Sequence, residues 1–496
     1  MRSSTLPDRA FAAIDLGAES GRVVLGRLDA ERASLEVVHR FPNRPVRLPD
    51  GVRWNLLTLL GEALEGLRRA AGGTRLSGVG VDAWGVDYAL LDERGRVLGL
   101  PFHYRDRRTD GMIARAHARV PRHELYAVTG IQTMPINTIF QLLADEGSRE
   151  LAAAQRIALV PDLFGYWLSG EFANEATIAS TTGLLDARTG EWARSLVERL
   201  GLPGAPFASD PMEPGATLGA LLPHHGAAGL PVHSVAGHDT ASAFAAAPVR
   251  TPEAAILSSG TWSLLGLELD EPVLTPDAAA FNLTNERGVE GTVRLLRNVM
   301  GLWLVQECRR SLGIEYAKLQ RLAQEAPDDV PLFDPDRNAF LAPDDMPEEI
   351  AKACAVSDQS PPDTPGELVR SVLTSLACKY RLVLERLIRV TGRRVEVVHV
   401  IGGGVRNELL CRLTADVLGR PVLAGPVEAT ALGNVLMQAR ATGDLASLAE
   451  LRAVAAASAD PAVFEPGDRR DEADALYGRF LEVTGLTVDE PEPAIA

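Results

Sequence analysis

Lysine is almost absent from this sequence. Among 50 basic residues, only Lys318, Lys352 and Lys379 are lysines, and none of them follows a glycine-rich loop. The Walker A motif needs a lysine directly after its glycines, and the protein-kinase fold needs one on an early strand. Both nucleotide-binding families are therefore excluded. If the chain handles ATP, it must hold the nucleotide with backbone amides, hydroxyl groups and a metal ion.

Cysteines and long apolar runs are also scarce. The four cysteines, Cys308, Cys354, Cys378 and Cys411, include no close pair with the spacing of metal ligands, and none lies in the first half. No uninterrupted apolar run approaches the roughly 20 residues that span a bilayer. The opening MRSSTLPDR lacks the apolar region of a signal peptide. These absences favour a protein of the reducing cytoplasm.

Basic residues are fewer than acidic ones, 50 against 66, which gives a net charge of −16. An acidic surface repels phosphate backbones and anionic lipids, so we expect neither nucleic acid nor a membrane as partner. Hydrophobic residues make up 46% of the chain, as in globular proteins. At 496 residues the chain exceeds one ordinary core, and it predicts two large domains.

The order of apolar segments predicts an α/β fold with two domains of similar actin or ribonuclease-H-like topology and a nucleotide cleft between them. Strand, glycine turn and strand open the chain at Phe11, followed by a helical pattern from Trp54 to Ala71 and a buried strand. Residues 254–269 repeat this opening, and the helical stretch from Leu368 to Val390 again precedes a strand. The predicted domains are residues 1–247 and 253–445, with an extension and tail over 446–496. Residues 247–252 are the expected crossover, residues 326–365 are expected to be mostly loop or a small surface insertion, and 491–496 are expected to fray.

Two turns that combine glycine with hydroxyl residues occupy equivalent places in the two halves. The first is DLGAESGR at 15–22, and the second is SSGTWS at 258–263, where Thr261 and Ser263 carry hydroxyls. Successive backbone N–H groups of such turns bind phosphate oxygens, and a carboxylate such as Asp15 holds metal-bound water. Each turn alone also fits a purely structural role. Because the two turns occupy matching positions, we predict that they form the two opposing sides of a triphosphate site.

The segment VIGGGVRN at 400–407 places three glycines between a predicted buried strand and a helix. Without side chains, they let an adenosine lie against the backbone. The dinucleotide pattern G-x-G-x-x-G is not met, because Asn407 occupies its last position. A plain strand-to-helix turn would not require three glycines.

The segment GHDT at 237–240 follows a predicted strand and opens an alanine-rich helix. A carboxylate at the start of a helix stays ionised at neutral pH, so Asp239 is a candidate general base for an attacking hydroxyl. The alternative, in which Asp239 only caps the helix, fits the sequence equally well.

Together these segments resemble the sugar kinases of the actin-like superfamily, which include glycerol kinase, xylulokinase and fuculokinase. The resemblance extends over residues 11–440 and is strongest to the rhamnulokinase group. It is carried by AIDLGAESGRV, VGVDAWGVDYALLD, HYRD, GHDTASA, LSSGTWSLLG, NLTNE, RNVMGLWLVQE and GGGVRNELL. One departure is Glu19, which stands where a small polar residue is common. The resemblance implies phosphorylation of L-rhamnulose on its 1-hydroxyl by ATP and Mg²⁺.

Carried over by position, the resemblance implies two sets of contacts and two special roles. The nucleotide contacts would be Ala18, Glu19, Ser20, Gly21, Arg22, Thr261, Gln306 and Gly403. The sugar contacts would be Gly85, His238, Asp239, Thr240 and Asn298. Asp239 would be the general base, and Asp15 would face Mg²⁺ through water. By sequence, we also expect five residues near this pocket, although Trp84 fits a core position equally well: Trp84, Asp87, Tyr88, His103 and Arg105.

Three alternatives stay open at the level of sequence. A kinase for a related sugar, such as L-fuculose or xylulose, would carry the same motifs. An actin-like chaperone or filament ATPase would also pair two phosphate turns, but it would not need GHDT beside a sugar pocket. A sugar sensor without catalysis is disfavoured, because Asp15, Asp239 and both turns are retained.

Overall fold

The computed structural model describes residues 6–227 and 229–491 of the chain. Two large mixed sheets dominate it, one from each half, and helices flank both sheets. The C-terminal tail predicted to fray lies, except for Pro491, outside the described residues.

The first half, up to residue 245, contains ten strands and nine α-helices among its described residues. The strands are β1 (Leu6–Leu16), β2 (Ser20–Ala30), β3 (Arg32–Pro42), β4 (Val46–Leu48), β5 (Gly51–Arg53), β6 (Gly78–Ala83), β7 (Tyr88–Leu91), β8 (Arg156–Leu159), β9 (Ala216–Ala220) and β10 (Pro231–Ser234). The helices are α1 (Leu56–Ala71), α2 (Met112–Arg119), α3 (Arg122–Thr129), α4 (Thr138–Ala144), α5 (Arg149–Ala153), α6 (Val160–Ser169), α7 (Ala176–Ala179), α8 (Arg194–Arg199) and α9 (Asp239–Ala245).

The second half adds seven strands and nine α-helices in its described part. The strands are β11 (Ala254–Ser259), β12 (Trp262–Leu269), β13 (Thr284–Arg287), β14 (Val293–Met300), β15 (Val397–Ile401), β16 (Val422–Ala424) and β17 (Ala462–Phe464). The helices are α10 (Pro276–Ala280), α11 (Trp303–Leu312), α12 (Tyr316–Glu325), α13 (Met346–Val356), α14 (Pro365–Thr391), α15 (Glu408–Leu418), α16 (Ala429–Ala441), α17 (Leu448–Ser458) and α18 (Arg470–Thr484).

The two sheets repeat one topology. The first has the order β3-β2-β1-β6-β10-β9, with β1, β2 and β3 antiparallel and β6 and β10 parallel to β1. The second has the order β13-β14-β12-β11-β15-β16-β17, in which β14, β12 and β11 are antiparallel and β15 and β16 run parallel to β11. A strand meander followed, after a helix, by one further strand was predicted, whereas the next parallel strand, β10 in the first sheet and β16 in the second, was not. In each sheet a glycine turn joins the two strands that begin the repeat, β1 to β2 in the first sheet and β11 to β12 in the second.

Local sequence explains where the two main predicted helices lie. Helix α1 begins after Asn55, whose side chain accepts from the N–H of Thr58, and it ends at Gly72. Helix α14 begins after Thr364, whose hydroxyl accepts from the N–H of Glu367, and it ends at Gly392 in the left-handed conformation. The predicted bounds therefore hold to within a few residues.

The stretch expected to be mostly loop, 326–365, contains the 11-residue helix α13. Asp345 accepts from the N–H of Glu348, Pro347 lies in the first turn, and Glu348 and Glu349 favour the positive end of the helix dipole. Counting Asp and Pro as loop formers overlooked that these residues also start helices.

Helix α16 belongs to the second half but packs on the first sheet. Its Asn434 donates to Asp82 over 2.6 Å, and Gln438 donates to the carbonyl of Ala12 over 2.9 Å. A Cβ on Gly433 would lie 1.9 Å from the carbonyl oxygen of Ser242, so glycine is required for α16 to approach α9 this closely. Helix α16 therefore joins the two halves, because it belongs to the second half and packs on the first sheet and on α9.

Among the described residues, no helix is both long and apolar enough to cross a membrane.

Candidate active site

A single cleft between the two sheets collects most of the residues predicted to bind ligands. The predicted site residues that line it are Ala18, Arg22, Gly85, His238, Asp239, Thr240, Thr261, Asn298 and Gly403. Both halves of the chain contribute, as the repeated turns predicted.

The first glycine turn connects β1 to β2 at the edge of the cleft. The N–H of Gly17 donates to the carbonyl of Ser20 over 3.0 Å, and Asn43 donates to the carbonyl of Gly17 over 2.9 Å. Asp15 lies at the end of β1, where Arg22 donates to its Oδ2 over 2.6 and 2.8 Å. Arg22 also contacts Glu428 of the second half. The turn therefore places the guanidinium of Arg22 beside the cleft, where Asp15 and Glu428 fix its orientation.

The second turn connects β11 to β12 and faces the first. The N–H of Gly260 donates to the carbonyl of Trp262 over 2.9 Å, which closes the turn, and Thr261 lines the cleft. Ser263 was expected to offer a hydroxyl here, but that interpretation is wrong. It is fully buried, and its hydroxyl pairs with that of Tyr380 over 2.7 Å. Side chains alternate along a strand, so Ser263, the second residue of β12, points into the core.

The three glycines after β15 have three different surroundings. Gly402 has a φ of +86°, which favours glycine. A Cβ on Gly404 would lie 2.0 Å from the hydroxyl of Ser259, whereas a Cβ on Gly403 would meet nothing within 4 Å. Gly402 and Gly404 thus have structural reasons to be glycine, contrary to the view that a plain turn would not need them. Gly403 alone is left facing open space in the cleft.

The GHDT segment joins β10 to α9 on the cleft floor. His238 is the N-cap residue and Asp239 is the first residue of the helix. The buried Glu175 accepts from the N–H of Gly237 over 2.9 Å, and Thr177 accepts from the N–H of His238 over 3.2 Å. These contacts fix the backbone that presents Asp239 to the cleft.

One oxygen of Asp239 is hydrogen-bonded to the next residue, and the other is free to act. Oδ1 accepts from the N–H and the hydroxyl of Thr240 over 2.5 and 3.1 Å. Among the described residues, Oδ2 has no hydrogen-bond partner, and the side chain is 30% exposed. Burial raises the pKa of Asp239, the nearby His238 lowers it, and the charge of Asp15 raises it again. The carboxylate is thereby a stronger proton acceptor than an ordinary aspartate.

The second half supplies the opposite wall of the predicted sugar pocket. Asn298 on β14 is bound to Gln132 of the first half by two bonds: its N–H donates to Oε1 over 2.8 Å, and its side-chain amide donates to the same oxygen over 3.0 Å. Gln132 in turn donates to the carbonyl of Asn298 over 3.1 Å. Thr284 and Glu286 of β13 also line the cleft. Within the described residues, the buried hydroxyl of Thr284 has no partner and so can bind a ligand hydroxyl.

Gly85 lies in a strained segment of the first half. The next residue, Val86, has a φ of +69°, a conformation that branched side chains avoid. Its N–H donates to the hydroxyl of Thr181 over 3.1 Å, and this bond helps to hold the strained turn. Trp84 lines the cleft, while its indole N–H donates to the buried Asp87 over 2.9 Å. Trp84 is therefore both packed and in contact with the site.

Five other predicted ligand contacts do not line the cleft. Glu19 is exposed at the tip of the first turn, Ser20 begins β2, and Gly21 is buried against Phe41. Asp15 lies behind Arg22. Gln306 lies in α11 with Oε1 buried and, in the described part of the chain, unpartnered.

The remaining residues expected near the pocket support it from behind. Asp87 is fully buried, which raises its pKa to about 6, and it accepts from Trp54, Trp84 and Gln141. The hydroxyl of Tyr88 donates to Asp145, away from the cleft, and His103 stacks on Tyr104 and packs at a tilt against Trp54. The guanidinium of Arg105 lies 4.0 Å from the ring centre of Trp303, across the boundary between the halves.

Four functional candidates were not singled out by the sequence. Gln132, Thr284 and Glu286 line the cleft near Asn298, and Glu428 contacts Arg22. Glu286 is the last letter of NLTNE, where a glutamate within a buried strand was a visible signal. Gln132 and Glu428 depend on long-range contacts, which no local pattern marks.

Models of protein families match both halves. The N-terminal domain of the FGGY family of carbohydrate kinases matches residues 11–245, and its C-terminal domain matches residues 255–442. Curated relatives include the rhamnulokinase of Bacteroides thetaiotaomicron, 40% identical over 95% of this chain and 98% of the relative. The rhamnulokinase of Bacillus subtilis is 39% identical over 92% and 96%, respectively.

Solved structures agree on the fold. A xylulose kinase from Rhodospirillum rubrum matches with a TM-score of 0.74 and 21% identity over 95% of this chain and 97% of that one. The glycerol kinase of Plasmodium falciparum, solved with ADP, matches with a TM-score of 0.76 and 14% identity over 97% and 99%. The predicted fold of two similar α/β domains is confirmed.

Proposed function

Because the chain belongs to the FGGY family of carbohydrate kinases, we propose that it transfers the γ-phosphoryl group of ATP to the 1-hydroxyl of L-rhamnulose. The products are L-rhamnulose 1-phosphate and ADP. The observation that carries this proposal is the position of Asp239, between a sugar pocket and two opposing phosphate turns. The rhamnulokinase relatives, about 40% identical over nearly the whole chain, support the choice of sugar.

The cleft divides into a nucleotide side and a sugar side. The phosphates would lie between Ala18 and Arg22 of the first turn and Thr261 of the second, and the adenosine would lie against Gly403. On the sugar side, polar groups that can bind hydroxyls face an apolar wall. The polar groups belong to the backbone of Gly85 and to the side chains of His238, Asp239, Thr240 and Asn298. The apolar wall consists of Ile131, Met134 and Ile136. L-rhamnulose has a methyl group at C6, which suits such a wall.

In the reaction, the 1-hydroxyl oxygen approaches the γ-phosphorus in line with the leaving oxygen of ADP. The new O–P bond forms as the old one breaks, and the hydroxyl proton passes to Oδ2 of Asp239. Phosphoryl transfer has a loose transition state, so Asp239 orients the hydroxyl and takes its proton late. Arg22 and the N–H groups of both turns stabilise the charge on the phosphate oxygens.

Mg²⁺ fits this site as an ion held mainly by the nucleotide. Within residues 6–227 and 229–491, no cluster of three His, Cys, Asp or Glu side chains is placed to hold a metal by protein ligands alone. Mg²⁺ commonly uses one or two carboxylates together with phosphates and water. Asp15, whose Oδ2 is bound by Arg22, would face the ion through a water molecule. When bound, the ion neutralises phosphate charge.

The four cysteines of the protein are buried and free, which fits the proposed cytoplasmic location of the enzyme.

A panel of ketoses tests the proposal. ADP release, coupled to a reporter reaction, should have its highest kcat/KM with L-rhamnulose, a lower value with L-fuculose, which keeps the methyl group, and the lowest with xylulose, which has no C6. Asp239→Asn keeps the shape of the side chain but removes the base, so kcat should fall roughly 10² to 10⁴-fold. ADP release that ignores every sugar would favour the chaperone or filament reading, and a preference for another ketose would replace L-rhamnulose.

A further inference from the structure

Glu286 is a buried carboxylate at the cleft whose hydrogen-bonding capacity is not filled by the protein. It lies on β13, lines the cleft and is 4% exposed. A buried carboxylate usually finds hydrogen-bond partners for its oxygens, because leaving one without a partner is unfavourable. Within the part of the chain that the structure describes, Oε2 of Glu286 is buried and has no such partner. The phosphoryl transfer described above gives this residue no role.

The two nearest side chains do not fill this capacity. Oε2 lies 3.1 Å from Nη2 of Arg294 and 3.3 Å from Nδ1 of His238. Nη2 of Arg294 donates to Nδ1 of His238 over 3.2 Å. A guanidinium can only donate, so Nδ1 is an acceptor here and has no proton to give to Glu286. Arg294 therefore balances the charge of Glu286 but leaves its oxygen without a hydrogen-bond donor.

The surroundings favour an ionised Glu286. Arg294, its register partner across β13 and β14, is completely buried. Burial alone would raise the pKa of Glu286, but the opposing effects, of which the charge of Arg294 is the largest, hold the pKa below its ordinary value. An ionised carboxylate only accepts hydrogen bonds, and it accepts them more strongly than a neutral group does. The group that would satisfy Glu286 is therefore an O–H or N–H donor.

Glu286 lies among the residues predicted to bind the sugar. Its carboxylate is next to His238 and also interacts with the side chain of Asn298. Thr284, two residues earlier on β13, points to the same side of the strand and also lines the cleft. The imidazole of His238 separates Glu286 from Asp239, since Nε2 on the far side of the ring lies 3.5 Å from Oδ1 of Asp239. Glu286 is thus placed for a sugar hydroxyl other than the one that reacts at Asp239.

We propose that Glu286 is a specificity-determining residue, which accepts a hydrogen bond from a secondary hydroxyl of the bound ketose while the 1-hydroxyl lies at Asp239. The inference rests on the proposed function, and it adds a sugar contact to those predicted from the sequence. The hydroxyl supplies the donor that the buried carboxylate lacks. A ketose without that hydroxyl would leave the charge unsatisfied in the closed cleft, and sites of this kind discriminate strongly against such analogues.

Calorimetry of sugar binding without nucleotide tests the proposal. The probes are L-rhamnulose, or another ketose of the panel if it binds more tightly, and its analogues that lack the 3-, 4- or 5-hydroxyl. One analogue should bind the wild-type protein roughly 10-fold or more weakly than the parent sugar, as expected for a lost hydrogen bond to a charged group. Glu286→Gln should weaken the parent sugar by a similar factor. It should change the Kd of that one analogue by less than about threefold, because their shared contact is already absent.

Two further variants keep the test decisive. Glu286→Asp retains the charge beside Arg294 but shortens the side chain, so it should lose the same coupling to one hydroxyl, and it decides the question if Glu286→Gln does not fold. Glu385→Gln, which changes a carboxylate bound to Arg381 and Tyr477, is the control and should bind every sugar like the wild type. If the folded Glu286 variants weaken the parent sugar and all analogues by equal factors, Glu286 is only the partner of Arg294 and the proposal is wrong. A wild-type protein that binds no ketose would instead overturn the proposed function itself.

Discussion

Arg22 shows how a single side chain can be held in place at the proposed phosphate site. Burial works against its charge, but Asp15 and Glu428 outweigh burial and raise its pKa above the ordinary value. The guanidinium is therefore fixed in place before any ligand arrives. An incoming phosphate would compete with Glu428 more easily than with Asp15, because Glu428 belongs to the other half of the chain and Asp15 is the register partner of Arg22.

At the scale of the residue, the pH dependence of catalysis should report Asp239. Its pKa is raised above the ordinary value, mainly by burial. Only the ionised carboxylate accepts a proton, so kcat/KM for the sugar should fall as the pH drops through this raised pKa. The fall should begin at a higher pH than for an ordinary aspartate, whose pKa is about 3.9.

Thr240→Val provides the matched comparison for this pH profile. Its hydroxyl donates to Asp239 and lowers the pKa of that carboxyl, so removing it should move the acid limb to higher pH. Steady-state rates measured across acidic and neutral pH provide both profiles. Activity that stays constant down to about pH 4 would show that no carboxylate of raised pKa controls the reaction.

At the scale of the element, the turn after β15 contains two glycines that the backbone requires and one, Gly403, that is proposed to contact the nucleotide. Gly403→Val adds a side chain where nothing lies within 4 Å, so the fold should tolerate it while the nucleotide should not. We expect KM for ATP to rise far more than KM for the sugar, because the branched side chain would occupy space next to the adenosine.

Gly404→Val is the comparison for this prediction. Its Cβ would lie 2.0 Å from the hydroxyl of Ser259, so we expect a lower melting temperature rather than a selective effect on ATP. Steady-state kinetics together with thermal melting distinguish the two variants. If Gly403→Val also lowers the melting temperature strongly, the glycine is needed for the fold and the nucleotide role loses its support.

How far the sequence predicted the structure depends on the range of the interactions. Both glycine turns, the helices α1 and α14 and the repeated sheet order follow from local patterns and caps, and the structure has them. The charge pair of Glu286 with Arg294 depends on strand register, and the bond of Gln132 with Asn298 depends on docking of the two halves. Neither is visible in local periodicity. Helix α13 was missed because its proline and aspartates were counted only as loop formers.

At the scale of the whole molecule, side-chain amides link the two halves of the chain beside the proposed sugar pocket. Asn298 is bound to Gln132, and Asn282 exchanges hydrogen bonds of 2.8 and 3.1 Å with the backbone of Thr133. A sugar held by Asn298 of the second half and by Asp239 of the first would add further contacts across the same boundary. ATP between Ala18 and Thr261 would do so on the nucleotide side.

Each ligand alone therefore makes only part of the contacts that bridge the cleft, and each should favour the closed state more strongly when the other is bound. Linkage then requires both to tighten each other's binding by the same factor. L-rhamnulose should lower the Kd of a non-hydrolysable ATP analogue, measured by calorimetry with and without saturating sugar. Asn298→Ala should weaken this coupling along with sugar binding. Asn282→Gly, which removes an amide bridge outside the cleft and keeps a backbone that favours positive φ, should preserve the coupling. Equal affinities for the analogue with and without sugar would mean that the two sites act independently, and the closing cleft would then have to be abandoned.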